Sequence, residues 1–295
     1  MALNLEQATA CEAKGDKEAM KRSARLVALS AAALMLMSGV GCDKLKARSE
    51  LNAGVKAYKD AKYEEAIEKF KNAVEFDPNL LNARMYLATA YTQLYVPGSE
   101  DTENKHTGEQ AIEQYKKVIE AANPSKEQLI NSTKGVAGLY LQMKRFDDAR
   151  QYYVKVSELD PNDAEPYYSV GVIDWTKSFQ PRAEERAKLG LKPTEPLKDK
   201  KVCTALHAKN WDTVADGIAM LDKALALRPD YDDAMAYLNL MYRERADIQC
   251  GDPAAYAADE KTADEWVDKN LATKKARAER EANKPGGIVL DENKQ

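Results

Sequence analysis

The sequence predicts an all-α fold built from stacked pairs of helices. A short turn recurs along the 295-residue chain, each time after an amphipathic helix, and its copies are Asp77-Pro78-Asn79, Asp160-Pro161-Asn162 and Arg228-Pro229-Asp230. Within these helices, small and large apolar residues recur at spacings of three and four, which places them on one helical face. Helix pairs that end repeatedly in the same turn indicate a repeat architecture, in which each pair buries its apolar face against the next.

The clearest copy of the repeat covers residues 47–80. Ala66, Phe70 and Ala73 lie four and three residues apart, so they share one face of the second helix. The two alanines let a neighbouring helix approach closely, while Phe70 fills the space between them. Gly54 gives the first helix a matching hollow.

At these positions the chain resembles the tetratricopeptide (TPR) family, whose repeat is a 34-residue helix-turn-helix unit. Gly54, Ala66, Phe70, Ala73 and Pro78 match the family pattern. Further copies are carried by Leu87, Ala88, Tyr91, Ala111, Tyr115 and Val118, by Ala137, Tyr140, Phe146, Ala149, Tyr153, Val156 and Pro161, and by Tyr167, Val170, Gly171, Gly217, Leu221, Ala224 and Pro229. The resemblance implies a right-handed TPR solenoid over residues 42–252.

A C-terminal capping helix is expected over residues 253–284. Asp252-Pro253 is typical of an N-cap followed by a first-turn proline. The apolar stripe that follows consists of Tyr256, Ala263, Trp266, Val267 and Leu271. Residues 285–295 would form a charged tail containing a short apolar segment.

Two stretches exceed the repeat period, near residues 96–108 and 176–209. The second is either a degenerate extra repeat or an insertion between the two helices of a pair. An insertion is favoured, because Lys201 and Thr204 would occupy inward helix positions in a true repeat. Pro181, with Gly190 after residues 182–189, predicts a short separate helix within this stretch.

The N-terminal region predicts export and a lipid anchor. A basic segment, Lys21 to Arg25, precedes sixteen uncharged residues and then Cys42, which is the pattern of a secretory signal. The segment Ser38 to Cys42 resembles the lipobox of bacterial lipoproteins, in which the cysteine becomes the acylated first residue. Residues 1–41 would then be an N-terminal extension and signal peptide, with the true start at Met20. A retained signal anchor and simple cleavage are the alternatives.

The remaining cysteines, Cys203 and Cys250, are plausible disulfide partners in an oxidising compartment, the alternative being two unpaired thiols. The histidines, His106 and His207, lie beside no nucleophile in any motif, so we predict no catalytic residue, no metal site and no cofactor. The formal net charge is -4, with acidic and basic residues mixed along the helices. This pattern offers no basic face for nucleic acid.

In the TPR family the first helices of the pairs line a concave groove that binds partners. The resemblance places nine candidate partner-binding residues there: Tyr58, Met85, Thr89, Thr92, Lys134, Tyr168, Val172, Trp175 and Arg243. The aromatic members would suit an apolar or extended peptide. Alternatively, Tyr168 and Trp175 pack beneath the 176–209 insertion.

Together these features predict a scaffold, not an enzyme, that is tethered to a membrane and binds a protein partner or peptide segment in the cell envelope, on the periplasmic side. The alternative is an envelope protein that binds a small molecule or lipid in a pocket under the 176–209 insertion.

Overall fold

The computed structural model describes residues 42–192 and 195–283, and in these ranges all regular secondary structure is helical. The predicted signal peptide and tail, and the predicted start at Met20, lie outside the described residues. The chain divides into two compact units, with the boundary between Tyr95 and Val96. Among the helices of the described ranges, none is long and apolar enough to cross a membrane.

The first unit contains three helices: α1 (42–59), α2 (Tyr63–Phe76) and α3 (Leu81–Leu94). Its core forms as the sequence predicts, because Ala66, Phe70 and Ala73 are completely buried. A Cβ atom on Gly54 would lie 2.5 Å from Cε1 of Phe70. Only a glycine at this position of α1 therefore lets the Phe70 ring occupy the gap between the helices.

The second unit contains seven helices in its described residues, each packed against the next. They are α4 (Thr102–Ile119), α5 (Lys126–Gln142), α6 (Phe146–Leu159), α7 (Ala164–Lys188), α8 (Lys200–Leu227), α9 (Asp232–Asp247) and α10 (Pro253–Ala282). Helices α6 and α8 end one residue before Asp160-Pro161 and Arg228-Pro229, so the recurrent turn does close the second helix of a pair. The core between α7, α8 and α9 is centred on Leu221, Leu238 and Met241, which are fully buried.

The C-terminal helix α10 begins at the predicted place. The Asp252 side chain accepts hydrogen bonds from the backbone N–H groups of Ala254 and Ala255, and Pro253 occupies the first turn. Helix α10 packs along α9. The side chain of Asn270 donates to the backbone carbonyl of Asp232, and Arg277 pairs with the Asp232 carboxylate at 2.5 Å. The α9–α10 pair therefore continues the stacking of helix pairs.

The prediction of a separate helix after Pro181 is wrong, because α7 runs without interruption from Ala164 to Lys188 and contains Pro181. Residues 176–209 contribute the end of α7, a connecting loop and the start of α8, so the surplus lengthens both helices of one pair. A proline inside a helix weakens the hydrogen bonds of the preceding turn. Here the side chain of Asn210 in α8 donates to the carbonyl of Ser178 at 3.0 Å. This bond satisfies a polar group in that turn, and α7 continues.

Candidate partner-binding face

Helices α7 and α9 are the first helices of successive pairs, and they pack directly against each other. Four aromatic side chains lie along this contact: Tyr168, Trp175 and Phe179 from α7, and Tyr237 from α9. We call them the aromatic strip. The Tyr237 ring of α9 lies between two rings of α7. Its centroid is 5.8 Å from that of Tyr168 and 5.4 Å from that of Trp175. Trp175 stacks on Phe179 at 4.9 Å.

The spacing along α7 explains why these rings share a face. Tyr168, Trp175 and Phe179 are seven and four residues apart, which is two turns and then one turn of helix. The adjacent face carries Tyr167 and Gly171, which are buried in the contact with α8. The strip is left partly exposed, and Phe179 exposes 39% of its surface. A row of partly exposed rings on packed helices offers rigid contact area to a ligand.

The phenols of the strip are held in their neutral form. Burial is the largest cause that raises the pKa of Tyr168 above its ordinary value, and Tyr237 and the carboxylates of Asp233 and Glu165 raise it further. Burial and Asp233 raise the pKa of Tyr237 in the same way. The Nε1 group of Trp175 is buried and has no hydrogen-bond acceptor among the described residues.

Three other predicted groove residues also belong to the second unit. The Nζ atom of Lys134 lies 2.5 Å from the Asp163 carboxylate, so α5 is joined here to the N-cap of α7. Val172 is half-buried, one turn before Thr176, whose hydroxyl donates to the Val172 carbonyl. Arg243 pairs with Glu260 at 2.8 Å and Asp264 at 2.7 Å, so two carboxylates of α10 hold its guanidinium.

Tyr58, Met85, Thr89 and Thr92 belong to the first unit and are half-buried. The Tyr58 ring meets that of Tyr63 edge to face at 5.3 Å. The hydroxyls of Thr89 and Thr92 donate to the carbonyls of Met85 and Ala88, one turn earlier in α3. The structure therefore brings the predicted residues together as two groups, four in the first unit and five in the second.

Sequence reasoning missed a buried ionic cluster formed by Arg182 and Arg186 of α7 with Glu244 and Asp247 of α9. Arg182 lies 2.7 Å from the Glu244 carboxylate and 2.6 Å from that of Asp247, and Arg186 lies 2.7 Å from Asp247. Arg186 also donates to the backbone carbonyl of Lys192. The sequence does contain two arginines one turn apart and two acidic residues three positions apart. However, no pattern within either segment shows that the two segments come into contact.

Burial is the largest cause that raises the pKa of Glu244, to about 7, against the opposing effect of Arg182. A carboxyl group with such a pKa can act as an acid or base in an active site. In this cluster, however, Glu244 and Asp247 are buried and face arginines, so a substrate has no access to them. The arrangement supports a structural role, in which the cluster joins the end of α7 to α9.

A disulfide joins Cys203 of α8 to Cys250, just after α9, with a Cα–Cα distance of 5.4 Å. Nearby, Nδ1 of His207 lies 2.8 Å from the Ile248 carbonyl oxygen, and its ring stacks on Trp211. A pocket of about 320 Å³ lies beside the disulfide, under residues 196–200. Its lining is mainly apolar and contains one aromatic ring, that of Tyr256.

A larger polar cleft of about 710 Å³ lies among α6, α7 and α8. Arg150 reaches into it and donates to both carboxylate oxygens of Asp174, at 2.8 and 3.2 Å, and it also pairs with Asp216. Lys177 pairs with Asp147 at 2.5 Å. The cations and carboxylates of the cleft are thus largely paired with one another. Within the described residues, no group of His, Cys, Asp or Glu side chains is arranged to hold a metal ion.

Stacked antiparallel helix pairs with a partly exposed face along their first helices define the class of α-helical repeat proteins. Residues 136–163, which span the end of α5, all of α6 and the turn after it, match the family model for the tetratricopeptide repeat. These residues therefore form a tetratricopeptide repeat, as the sequence predicts.

Solved structures support this fold. The crystal structure titled MamA protein is 15% identical and aligns over 80% of this chain and 96% of its own, with a TM-score of 0.53. A MamA structure from Desulfovibrio magneticus RS-1, titled residues 41 to the end, is 17% identical and aligns over 79% of this chain and 97% of its own, with a TM-score of 0.51. No curated protein matches the chain.

Proposed function

We propose that this protein is a scaffold that binds a protein partner, or an extended segment of one, along the face formed by α7 and α9. We further propose that acylated Cys42 tethers it to a membrane of the cell envelope. The protein performs no chemistry of its own in this proposal. It holds its partner near the membrane surface.

The observation that carries the proposal is the aromatic strip. Its rings are supported from below by a closely packed core and by one another, so they lose little conformational freedom when a ligand covers them. Partly exposed aromatic rings on a rigid support are typical of the central contacts in protein interfaces.

The lipid anchor is supported by the position of Cys42. Its thiol is free and exposed at the start of the described residues, directly before the rest of α1. Lys44, Lys46 and Arg48 follow within two turns, where basic side chains would meet the phosphates of a membrane surface. Because Cys42 is itself part of α1, no flexible linker separates the anchor from the helices, and the first unit would lie close to the membrane.

A second candidate, binding of a small molecule or lipid, is favoured only by the pocket under residues 196–200. Its volume of about 320 Å³ is at the lower end for ligand sites. Tyr256 supplies its one aromatic ring, and the disulfide forms part of its wall. The aromatic strip presents four rings where this pocket has one, so a protein partner accounts better for the features of this chain.

Photocrosslinking in cells that carry the protein tests the scaffold function. A photoreactive residue would replace Tyr58, Thr92 or Trp175 in turn. The control position would be Glu113, an exposed residue on α4, which is the second helix of its pair. We expect one discrete protein adduct from Trp175, identified by mass spectrometry, and none from Glu113. Absence of any protein adduct from all three test positions would contradict the proposal and favour the small-molecule alternative.

A further inference from the structure

We propose that the aromatic strip binds a lysine or arginine side chain of an extended peptide segment, held over the rings of Tyr168 and Tyr237 and beside the carboxylate of Asp233. This inference rests on the proposed function, because it specifies the chemistry of the partner that the scaffold would hold. It depends on two independent features of the structure. The first is which aromatic rings have no lysine or arginine over them, and the second is which carboxylates form no ion pair.

Cations over aromatic rings are common in this protein. In the described residues, Lys116 and Arg145 lie over Tyr140, Lys223 lies over Tyr167, and Lys269 lies over Trp266, all within 5.4 Å of the ring centroid. The rings of Tyr168, Trp175 and Tyr237 have no lysine or arginine over them within those residues. Their side chains are partly exposed, so a cation from another chain can reach them. The Tyr168 ring also packs against the Tyr231 ring, with the centroids 4.8 Å apart.

Two carboxylates beside these rings are also without a cation. Asp233 lies one turn before Tyr237 in α9, is exposed, and forms no ion pair with any described residue. Glu165 lies one turn before Tyr168 in α7 and accepts a hydrogen bond from the Tyr231 hydroxyl at 2.7 Å, but no lysine or arginine of the described chain pairs with it. Neighbouring Asp232, by contrast, is neutralised by Arg277 and Lys274.

The carboxylates act on the same rings that lack cations. After burial, which is the largest cause, Tyr237, Asp233, Glu165 and the ion-paired Asp232 raise the pKa of Tyr168, and burial followed by Asp233 raises that of Tyr237. The field at Tyr168 and Tyr237 is therefore negative, which favours a positive ligand there and disfavours an acidic one. At the other end of the strip, Arg182 already lies over Phe179, 5.8 Å from the ring centroid. Arg228 is close to this end of α9, but its guanidinium lies over the ring of Tyr231, 4.2 Å from the centroid.

Helix-dipole stabilisation explains part of this pattern but not all of it. Asp233 and Glu165 lie in the first turns of their helices, where a negative charge is favourable in any protein. Glu127 has the equivalent position in α5, yet it is not among the carboxylates that shift the pKa of Tyr168 or Tyr237. What distinguishes Asp233 is the pair of uncovered rings beside it, and Glu127 therefore provides a matched control.

The test uses the full chain and an array of random twelve-residue peptides, which needs no known partner. The peptide bound best is then compared, by fluorescence anisotropy, with its analogue carrying norleucine in place of the central lysine or arginine. For the wild type we expect enrichment of lysine or arginine at one position and roughly tenfold weaker binding of the norleucine analogue. The preference should fall at least threefold in Asp233→Asn and Tyr237→Leu.

Two control variants separate this site from general effects. Glu127→Gln removes a first-turn carboxylate from α5, and Tyr152→Leu removes a ring that Lys155 and Lys116 already cover. Both should keep the wild-type preference. If Tyr237→Leu proves unfolded by circular dichroism, Asp233→Asn, an exposed polar substitution, decides the outcome.

The results also separate this inference from the scaffold function. Selected peptides without lysine or arginine, or a preference that persists in both test variants, would overturn the cationic site and leave the scaffold standing. Failure to select any peptide, together with no protein adduct from photocrosslinking, would overturn both.

Discussion

At the residue scale, glycines set how closely the helices approach. A Cβ atom on Gly171 would lie 2.5 Å from Cγ of Leu221 and 3.2 Å from the backbone oxygen of Gly217. Because the second of these is a backbone atom, it cannot move without displacing α8. The close approach of α7 and α8 therefore depends on the absence of a side chain at Gly171.

We predict that Gly171→Ala lowers the free energy of unfolding by about 1–3 kcal/mol, because the added methyl group overpacks the α7–α8 contact. The matched control is Gly138→Ala, since a Cβ atom there would meet nothing nearer than 4.0 Å. The control should be neutral or stabilising, as alanine is the better helix former. Urea denaturation of the two variants beside the wild type measures this, and equal effects would contradict the packing explanation.

The raised pKa of Glu244 makes stability depend on pH. Because burial raises this pKa from 4.5 to about 7, the folded state binds a proton more tightly than the unfolded state. The stability contributed by this group is present below the unfolded pKa and is lost as pH rises towards about 7. The full effect would be about 3 kcal/mol.

Glu244→Gln, which stays neutral at every pH, should remove this dependence. The free energy of unfolding of the wild type, minus that of the variant, should fall by about 1–3 kcal/mol between pH 4.5 and pH 7.5. Glu113→Gln, at an exposed ion pair, controls for the general loss of one carboxyl group. A difference that stays constant across this range would show that the pKa of Glu244 is not raised in the folded state.

Local spacing predicted the apolar residues of the core but not its polar ones. Ala66, Phe70 and Ala73 are buried as their intervals of four and three indicate, because a helix places such residues on one face. Arg182 in α7 and Glu244 in α9 have all of α8 between them in the chain, and no pattern within either helix reveals that they meet. Their pairing depends on how far α7 extends, which the sequence did not show.

At the element scale, two interactions join the lengthened α7–α8 pair to its neighbour, and a third acts between α7 and α8. The ionic cluster holds the end of α7 to α9, and the disulfide joins α8 to Cys250, just after α9. Within the pair, the Asn210 side chain of α8 supports α7 near Pro181. A proline normally predicts a helix boundary, and here the tertiary contact with α8 overrides that local preference. For this reason the continuity of α7 could not be predicted from the sequence.

We predict that reducing the disulfide lowers the free energy of unfolding by about 4 kcal/mol, given the separation of 47 residues between the two cysteines. Cys250 is exposed, so a reductant can reach the bond. Urea unfolding of the wild type with and without a phosphine reductant measures the loss. The variant with alanine at both Cys203 and Cys250 should not respond to the reductant, and a wild type whose stability is unchanged after verified reduction would contradict the prediction.

At the scale of the whole molecule, the sequence predicted the architecture more completely than the binding chemistry. The boundary between the two units falls at Val96, where the first excess over the repeat period begins. The partner-binding residues were carried over from the family pattern by position, and five of the nine lie together in the second unit. The uncovered rings of Tyr168 and Tyr237 could not be recognised, because their environment depends on side chains from two different repeats.

The proposed membrane tether concerns the whole chain and has its own test. We predict that the wild type incorporates an alkyne-labelled fatty acid in cells and remains with membranes after a carbonate wash. Cys42→Ser should lose the label and move to the soluble fraction, while Cys11→Ser should behave like the wild type. Label that persists in Cys42→Ser would exclude this cysteine as the anchor.

The positions of the cysteines also have a consequence for how the chain matures. After residue 42 the sequence contains two cysteines, Cys203 and Cys250, so only one intramolecular disulfide can form between them. Once Cys42 is acylated, as proposed, oxidation after this residue has no incorrect pairing to reverse, and disulfide reshuffling, which can take minutes to hours, is not required. The bond can be made in a single oxidation as soon as α9 has brought the second thiol beside α8.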